Sequence, residues 1–560
     1  MRAAAGEQFV RRLEQQRRLE IGEELVVLED VLAAVEFPPA VLVVGIAKLR
    51  RNRLEVGVLE FVAAEVDAAG GSDLVDRAHR QIDPVFVDLY RFVHQVVDVL
   101  RERMFDTHLG EDDGSERQKM WRREIDRWTE TERNHLFPRA KRGRMDVSQQ
   151  RLRTDIETNA TFGSTESETG HGRTVLVGTE ANRAARDRFV DRSKEADLSV
   201  EVDAVGNIAA TWTPPSADPD AAPVAVGSHL DSVPEGGIFD GPLGVYGALE
   251  AVRGLQEEGV EPARPITVVC FTEEEGTCFG GGMLGSAVAT GQRGVDDALA
   301  LTDGEGTTLE DALTGIGYRG EGRLDASAWD AFLELHVEQD TRLERADVPV
   351  GIVTTITGIS QSTARVVGEA NHAGATPMDE RRDALAAASE FVLELERAGR
   401  DHALAGENTA VATVGGCDVR PNATNVVPGE VELGVDVRDV DYETMTAILE
   451  RAEQSLGRIG DERSVETSFA LELELEPAPM SDRCQRAFEA GASEADVEAL
   501  SMHSGAAHDA MRVARVTDAG MIFAPSRDGI SHNPREWTDW EDCATATRVL
   551  AGALAELSSE

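Results

Sequence analysis

Eight side chains of this 560-residue sequence have the types and spacing that divalent-metal chemistry asks for. The string GSHLDSVPEGGIFDGPLG puts His229 and Asp231 directly after an apolar run, with Asp240 in the glycine-rich loop beyond. FTEEEGTCFGG supplies Glu273, Glu274 and Glu275, ELHVEQ supplies His336, and GISHNPREW supplies His532. Imidazole plus carboxylate suits zinc, manganese or cobalt, and ligand type alone does not choose between them. Two metals a few ångström apart need a bridging carboxylate, a role that Asp240 is placed to fill. Asp231, two residues beyond His229, could orient that imidazole by accepting its other N–H. Glu274 and Glu275 can divide labour, one ligating while the other moves protons. Taken singly, each group has a plainer use. A histidine after a strand more often hydrogen-bonds in the core, and an acidic triplet in so acidic a chain is usually a solvated face.

These groups span 532 − 229 = 303 positions, so regular elements must bring them together. PVAVGSH (223–229), PITVVCF (265–271) and AFLELHVEQ (331–339) read as strands buried in a sheet. GVYGALEAVRGLQEEG (244–259) has apolar residues at helical spacing and stops on Gly259. Strand and helix alternate from Met145 onward, which predicts an α/β sandwich with a largely parallel sheet. Polar residues at the carboxyl ends of such strands can converge on one crevice. A different rhythm runs over 351–470. GISQSTARVVGEA, TAVATVGGCDV and EVELGVDVRDV read as strands, and RRDALAAASEFVLELERAG and DYETMTAILERAEQSL as helices. That region is expected to be an inserted α+β domain, with 145–350 and 471–560 forming the larger one.

Bulk properties bound the partners. A net charge of −47 repels nucleic acid and anionic membranes. With few lysines beside the acids, it suits a salt-rich cytoplasm that screens self-repulsion. Residues 1–144 nearly balance acids and bases, so almost all of the excess lies later, as do all five cysteines (Cys270, Cys278, Cys417, Cys484, Cys543). The early segment contains the apolar runs VLAAVEFPPAVLVVGIA and PVFVDLYRFVHQVVDVL and ends in a basic run, Arg139 to Arg144. It reads either as a docking or regulatory extension or as sequence upstream of a start at Met145. No stretch has the length of a membrane span or the pattern of an export signal. Five unpatterned cysteines suggest no disulfide framework. The expected location is cytoplasmic.

Seven strings extend the pattern: GSHLDSVPEGGIFDG, EEEG with a following GS, LHVEQ, GEANHAGATPM, RPNATNVVPGEVELGVDVRD, SGAAHDA and APSRDGISHNPREW. In this order they resemble the metal-dependent amidase, hydantoinase/carbamoylase family. That family includes N-carbamoyl-L-amino-acid hydrolases, allantoate amidohydrolases and β-ureidopropionases. The resemblance covers nearly all of 145–560 and implies an aminoacylase/carboxypeptidase-like metal-binding domain with an inserted lid and dimerisation domain. It also implies two divalent ions per subunit, zinc first, with manganese, cobalt or nickel as alternatives. Asp240 would be shared, with His229 and His336 completing one site and Glu275 and His532 the other. Glu274 would be the general base toward the attacking water, and Asp231 would stand behind the metal-binding imidazole. In the lid, His372 would hold the developing oxyanion, while Asn425 and Arg438 would recognise the substrate, Arg438 through its carboxylate. Gln339 would add a substrate contact. The implied reaction cleaves the C–N bond of a small ureido carboxylate, and a homodimer could lend His372 across subunits.

Some positions depart from the family pattern. Asp340 and Thr341 stand where Gly-Pro is usual, Ala375 and Ala507 where Thr and Gly are common, and Thr277-Cys278 where Ser-Arg is usual. None removes a proposed ligand, and all bear on which substrate fits. His508 and Asp509 read as support for the metal-site loop, and Cys278 as packing. Arg438 alone could simply pair with Asp436 or Asp439. Two other functions compete: an aminopeptidase or dipeptidase with the same metals, and a non-catalytic binding protein that kept the fold.

Overall fold

The computed structural model describes residues 31–36, 41–50, 53–62, 145–167, 170–406 and 408–559. The chain divides into two compact units, Met1–Arg133 and Asn134–Glu560. In the first, strands Val31–Glu36, Val41–Arg50 and Arg53–Val62 form an antiparallel meander that pairs Val31 with Ala47 and Val41 with Val62. The apolar run beginning at Val31 therefore folds as two strands. The later run PVFVDLYRFVHQVVDVL and the basic run 139–144 lie outside the described residues.

The second unit opens with helix α1 (Gln149–Asn159), whose N-cap Ser148 accepts a hydrogen bond from the Arg151 N–H, an ordinary helix start. Strands β1 (Ser199–Val202), β2 (Ile208–Trp212) and β3 (Val224–His229) follow, then helix α2 (Pro242–Glu257). Pro242 sits in the first turn of α2, where its missing N–H removes no helical bond. Strands β4 (Ile266–Phe271), β5 (Ala331–Val337) and β6 (Val350–Ile356) complete the first pass through the large sheet.

The chain then builds a separate four-stranded sheet from β7 (Gly358–Val367), β8 (Val411–Arg420), β9 (Glu430–Asp439) and β10 (Glu466–Leu475), in the order β8-β9-β7-β10. Helices α3 (Ala384–Ala405) and α4 (Tyr442–Arg463) lie between its strands in sequence. Val431, Leu433, Val435 and Val437 of β9 share a core with Phe391 and Leu395 of α3 and Ile448 and Leu456 of α4. Period-two alternation thus decides which face the helices cover, and it leaves Asp436 and Arg438 together on the other face.

Strand β11 (Ala478–Pro479), helix α5 (Asp482–Ala495), strands β12 (Ala499–Ser504) and β13 (Asp518–Ala524) and helix α6 (Trp540–Leu557) return to the large sheet. Its order is β11-β6-β13-β5-β3-β4-β2-β1, with β12 also paired to β6. The middle strands β13, β5, β3 and β4 are parallel, and antiparallel pairs flank them. Both faces are covered, which explains why β3 and β4 are apolar at nearly every position. Val224, Val226 and Val268 enter a core with Leu249 of α2 and Leu550 of α6. Ala225, Val269 and Phe271 enter another with Trp329 and Phe332.

The boundaries expected at 351 and 471 both shift. Residue 351 falls inside β6, which belongs to the large sheet, so the smaller sheet begins at Gly358. Residue 471 falls inside β10, which stays in the smaller sheet to Leu475. Only Thr357 separates β6 from β7. The glycine at the crossing, Gly358, is itself the first strand residue of β7 and no proline or polar turn cluster accompanies it, so composition did not reveal the crossing. All five cysteines are free. Among the described residues no helix is long and apolar enough to cross a membrane.

Candidate active site

The parallel strands point their carboxyl ends at one crevice, and the predicted metal-side residues meet there. His229 ends β3 beside Phe271, the last residue of β4, after which Glu273, Glu274 and Glu275 follow directly. His336 sits near the end of β5 opposite Phe523 of β13. His532 comes from the loop after β13, and Asp240 from the loop that leads into α2.

Three sets of side chains are close enough to hold a metal ion: His229, Asp240 and His336; His229, Glu274 and Glu275; and Asp240, Glu275 and His532. The two oxygens of Asp240 face different histidines. Oδ1 lies 3.5 Å from His229 Nε2 and 3.3 Å from His336 Nε2, whereas Oδ2 lies 3.5 Å from His532 Nε2. His532 Nε2 is also 3.3 Å from Glu275 Oε2, and His229 Nε2 is 3.6 Å from Glu274 Oε2. These separations are long for hydrogen bonds. They match donors that share a cation, because two ligands each about 2.1 Å from a tetrahedral ion stand about 3.4 Å apart.

Tautomers agree with that use. His229 Nδ1 lies 3.2 Å from the Asp231 carbonyl and His336 Nδ1 lies 3.1 Å from the Val337 carbonyl, so each Nδ1 donates and each Nε2 is left for a ligand. His229 Nε2 is buried and has no hydrogen-bond partner. An orphaned imidazole nitrogen facing carboxylates is what a cation site predicts, so the residues present fit a divalent ion. Asp231 was expected to orient His229 through its carboxylate. Its backbone carbonyl is the closer acceptor, and the carboxylate takes the Glu275 N–H at 3.2 Å.

The local electrostatics follow from burial and crowding. Burial pushes the Glu274 carboxyl well above its usual range against the opposing pull of His229. Burial and then Asp240 raise Glu275 to about 8. Burial works against the charge of Asp240, yet His336 and His229 hold it well below the usual range. Against the lowering effect of burial, Glu274 and Asp240 raise His229, and Asp240 and Glu334 raise His336. In the metal-free protein the cluster thus binds protons that a divalent cation would replace.

The family follows from comparison with known proteins. The peptidase family M20/M25/M40 pattern matches residues 225–556. An N-carbamoyl-L-amino acid amidohydrolase of Geobacillus stearothermophilus is 38% identical over 402 residues, 71% of this chain and 96% of that protein. The allantoate amidohydrolase of Escherichia coli K12 is 32% identical over 405 residues, 72% of this chain and 97% of that protein. A crystal structure of an amidase of the hydantoinase/carbamoylase family from Burkholderia multivorans superposes with a TM-score of 0.70. It is 36% identical and covers 74% of this chain and 99% of its own. The chain belongs to the M20 family and, within it, to the hydantoinase/carbamoylase amidases. It is a hydrolase. Aminopeptidase PepT of Bacillus cereus shares the fold alone, at 15% identity and a TM-score of 0.53.

In this amidase the residues expected to meet substrate lie in two places. Gln339 joins the cluster, its Nε2 donating to Asp240 Oδ2 at 3.0 Å. His372 lies on a two-stranded ribbon of the smaller domain and Asn425 just before its second strand, where the Ala373 N–H bonds the Asn425 carbonyl. Among the described residues neither belongs to the three metal-side sets. His372 Nδ1 accepts from the N–H groups of Gly374 and Ala375, so its proton sits on the exposed Nε2. Arg438 grips Asp436 through two bonds of 2.8 and 3.1 Å, and it donates to the Gly505 carbonyl at 2.8 Å. Residues two apart on one strand face project side by side, which explains that pairing.

Sequence reading missed several supports. Glu334 lies two residues before His336 on the same face of β5. It is buried and accepts from Ser228 Oγ at 2.8 Å and the Ala510 N–H at 2.9 Å. A carboxylate inside a strand apolar on both sides was the available signal. Arg173 is fully buried and donates to the carbonyls of Leu230, Asp231, Gly237 and Asp240. Nothing around it in the sequence announced that. Ser531 and Glu536 lie on either side of His532 in sequence.

His508 is buried 3.0 Å from Ser504 Oγ, and burial then His336 push its pKa well below the usual value, so it stays neutral. Its neighbour Asp509 accepts from Ser286 Oγ at 2.5 Å. Both fit the expected role in holding the loop. Glu273 turns back to accept from the N–H groups of Cys278 and Phe279. Burial and Glu273 raise the Cys278 thiol to about 12, which removes it as a nucleophile.

Proposed function

We propose that this amidase holds two divalent metal ions and hydrolyses the C–N bond of a small ureido carboxylate, such as an N-carbamoyl-L-amino acid or allantoate. The observation that carries the reading is Asp240, whose oxygens address two separate histidine sets. His229 and His336 would complete one site, and Glu275 and His532 the other. Zinc comes first among candidate ions, then manganese, cobalt or nickel. The relatives' names support the substrate class: amidohydrolases of N-carbamoyl-L-amino acids and allantoate, and a ureidoglycolate hydrolase of Arabidopsis thaliana at 34% identity.

A bound metal pair would supply acidity to the attacking water and polarisation to the ureido carbonyl. Glu274 stands beside His229 and belongs to no other proposed ligand set, which frees it to take the water proton and return it to the departing nitrogen. Asp231 keeps the His229 loop in place through its backbone carbonyl. His372, with its proton on Nε2, is a donor suited to an oxyanion. Arg438 would exchange Asp436 for the substrate carboxylate, Asn425 would add a polar contact, and Gln339 would help to orient the substrate beside Asp240. Lid closure, or a partner subunit's lid in a homodimer, would bring the lid groups to the cluster. An N-carbamoyl substrate would yield the amino acid, ammonia and carbon dioxide.

The test is a substrate panel on protein stripped of metal and then reloaded with zinc or manganese. Turnover of N-carbamoyl amino acids or allantoate, returning with metal, is expected. Turnover of dipeptides alone would replace this reading with a dipeptidase. Absence of both metal uptake and activity would point to a binding protein.

A further inference from the structure

We infer that Glu536 is a positioning residue that locks the shared aspartate to the histidine loop and so creates the second metal site. The inference rests on the two-metal reading above. Glu536 is almost completely buried, at 1% exposure, in the NPREW string just beyond His532. Its Oε1 accepts from the Phe239 N–H at 2.8 Å and the Asp240 N–H at 3.1 Å. Its Oε2 lies 2.9 Å from Ser531 Oγ, and the same hydroxyl lies 2.6 Å from Asp240 Oδ2. One side chain thus joins two loops 296 positions apart in sequence.

The need for this clamp differs between the two sites. His229 and His336 stand in β3 and β5, where sheet hydrogen bonds hold them. His532 stands in no strand. It is half exposed and adopts a left-handed backbone with φ of 53°, a conformation uncommon outside glycine. Ser531 immediately precedes it, and Glu536 holds that hydroxyl at 2.9 Å, closer than Gln339 Nε2 at 3.4 Å. The aspartate loop is shaped for the same contact. A Cβ at Gly237 would lie 2.1 Å from Glu536 Oε1, so the carboxylate packs flat on a position where only glycine fits. Arg173 holds the carbonyls of Gly237 and Asp240, which leaves the N–H groups of Phe239 and Asp240 for Glu536. Removing the clamp should free His532 and leave the strand-borne histidines in place.

The experiment titrates the full chain, stripped of metal, with zinc alone against a competing chelator, comparing wild type with Glu536→Ala, Glu536→Gln and Ser531→Ala. Wild type is expected to take two ions per chain. Glu536→Ala should bind one ion about 10–100-fold more weakly, the usual cost of losing a group that orients a ligand, and the other, which shares Asp240 but keeps its strand-borne histidines, markedly less so. Ser531→Ala should weaken the same site, and Glu536→Gln, whose amide oxygen still accepts both N–H groups, should stay close to wild type. A purely structural role would weaken both sites together. Two unchanged sites, or equal loss from both, in variants with native circular dichroism would overturn the inference. Should Glu536→Ala fail to fold, Ser531→Ala decides by the same criterion. Fewer than two ions in the wild type would instead remove the two-metal reading, and this inference with it.

Discussion

At the scale of single residues, Glu274 and Asp240 divide the chemistry by what their oxygens face. Asp240 addresses histidines with both oxygens, whereas Glu274 faces one histidine, His229, at 3.6 Å. Glu274→Gln keeps the size of the side chain and removes the base, so kcat is expected to fall by about 10²–10⁴ while metal content stays at the wild-type level. A parallel loss of metal would show that Glu274 is a ligand. Proton binding supplies a second expectation. Burial raises Glu273 and Glu536 to about 7, and Glu275 and Asp509 to about 8. The unfolded chain releases such protons near pH 4. Between those values the metal-free folded protein holds more protons than the unfolded one, so its stability declines as pH rises from about 4 to about 8. The raised His229 and His336 act in the same direction, the lowered Asp240 acts only below this window, and the lowered His508 opposes the trend only up to about pH 6.5. Urea midpoints for metal-free protein should be lower at pH 8.5 than at pH 6, with a smaller difference once metal is bound. Equal midpoints without metal would contradict this account.

At the scale of elements, the site depends on short connections between strand ends and helices. Gly241 joins Asp240 to the first turn of α2 with φ of 81°. A Cβ there would lie 2.6 Å from both the ring and the carbonyl of His229. Gly241→Ala therefore meets a strained backbone and a collision with a proposed ligand. A loss of about 1–3 kcal/mol in stability is expected from the backbone alone, with weaker metal uptake. Thermal melts and metal titration of the variant would check it, and a wild-type melt would remove the argument. The smaller sheet offers a contrasting case. Asp436 and Arg438 share the helix-free face of β9, so the pair forms from strand geometry alone.

At the scale of the whole molecule, charge is the dominant feature. The chain carries −47, and Lys194 is the only lysine after residue 144. Repulsion among exposed carboxylates reaches about 10 Å at 0.1 M salt and about 3 Å at 1 M. Thermal midpoints should therefore rise with potassium chloride between these concentrations, and the metal-loaded enzyme should lose activity on dialysis to low salt. A midpoint independent of salt would show that the acidic surface is not under strain, and the proposed salt-rich setting would lose its support.

Much of this architecture was legible in the chain. The strands carrying His229 and His336 are buried on both faces, so their apolar runs were unbroken and easy to see. The proposed ligands end or closely follow those runs, because parallel strands deliver their carboxyl ends to one edge. Tertiary structure alone decided what holds the ligands. Arg173 and Glu536 act on backbone groups far away in sequence, and no local pattern encodes such a contact. The crossing between sheets at Thr357 was equally hidden, since one extended apolar run serves two sheets without a turn. Local periodicity reports which face of an element is buried. Which distant backbone a buried charge will satisfy is settled only when the chain has packed.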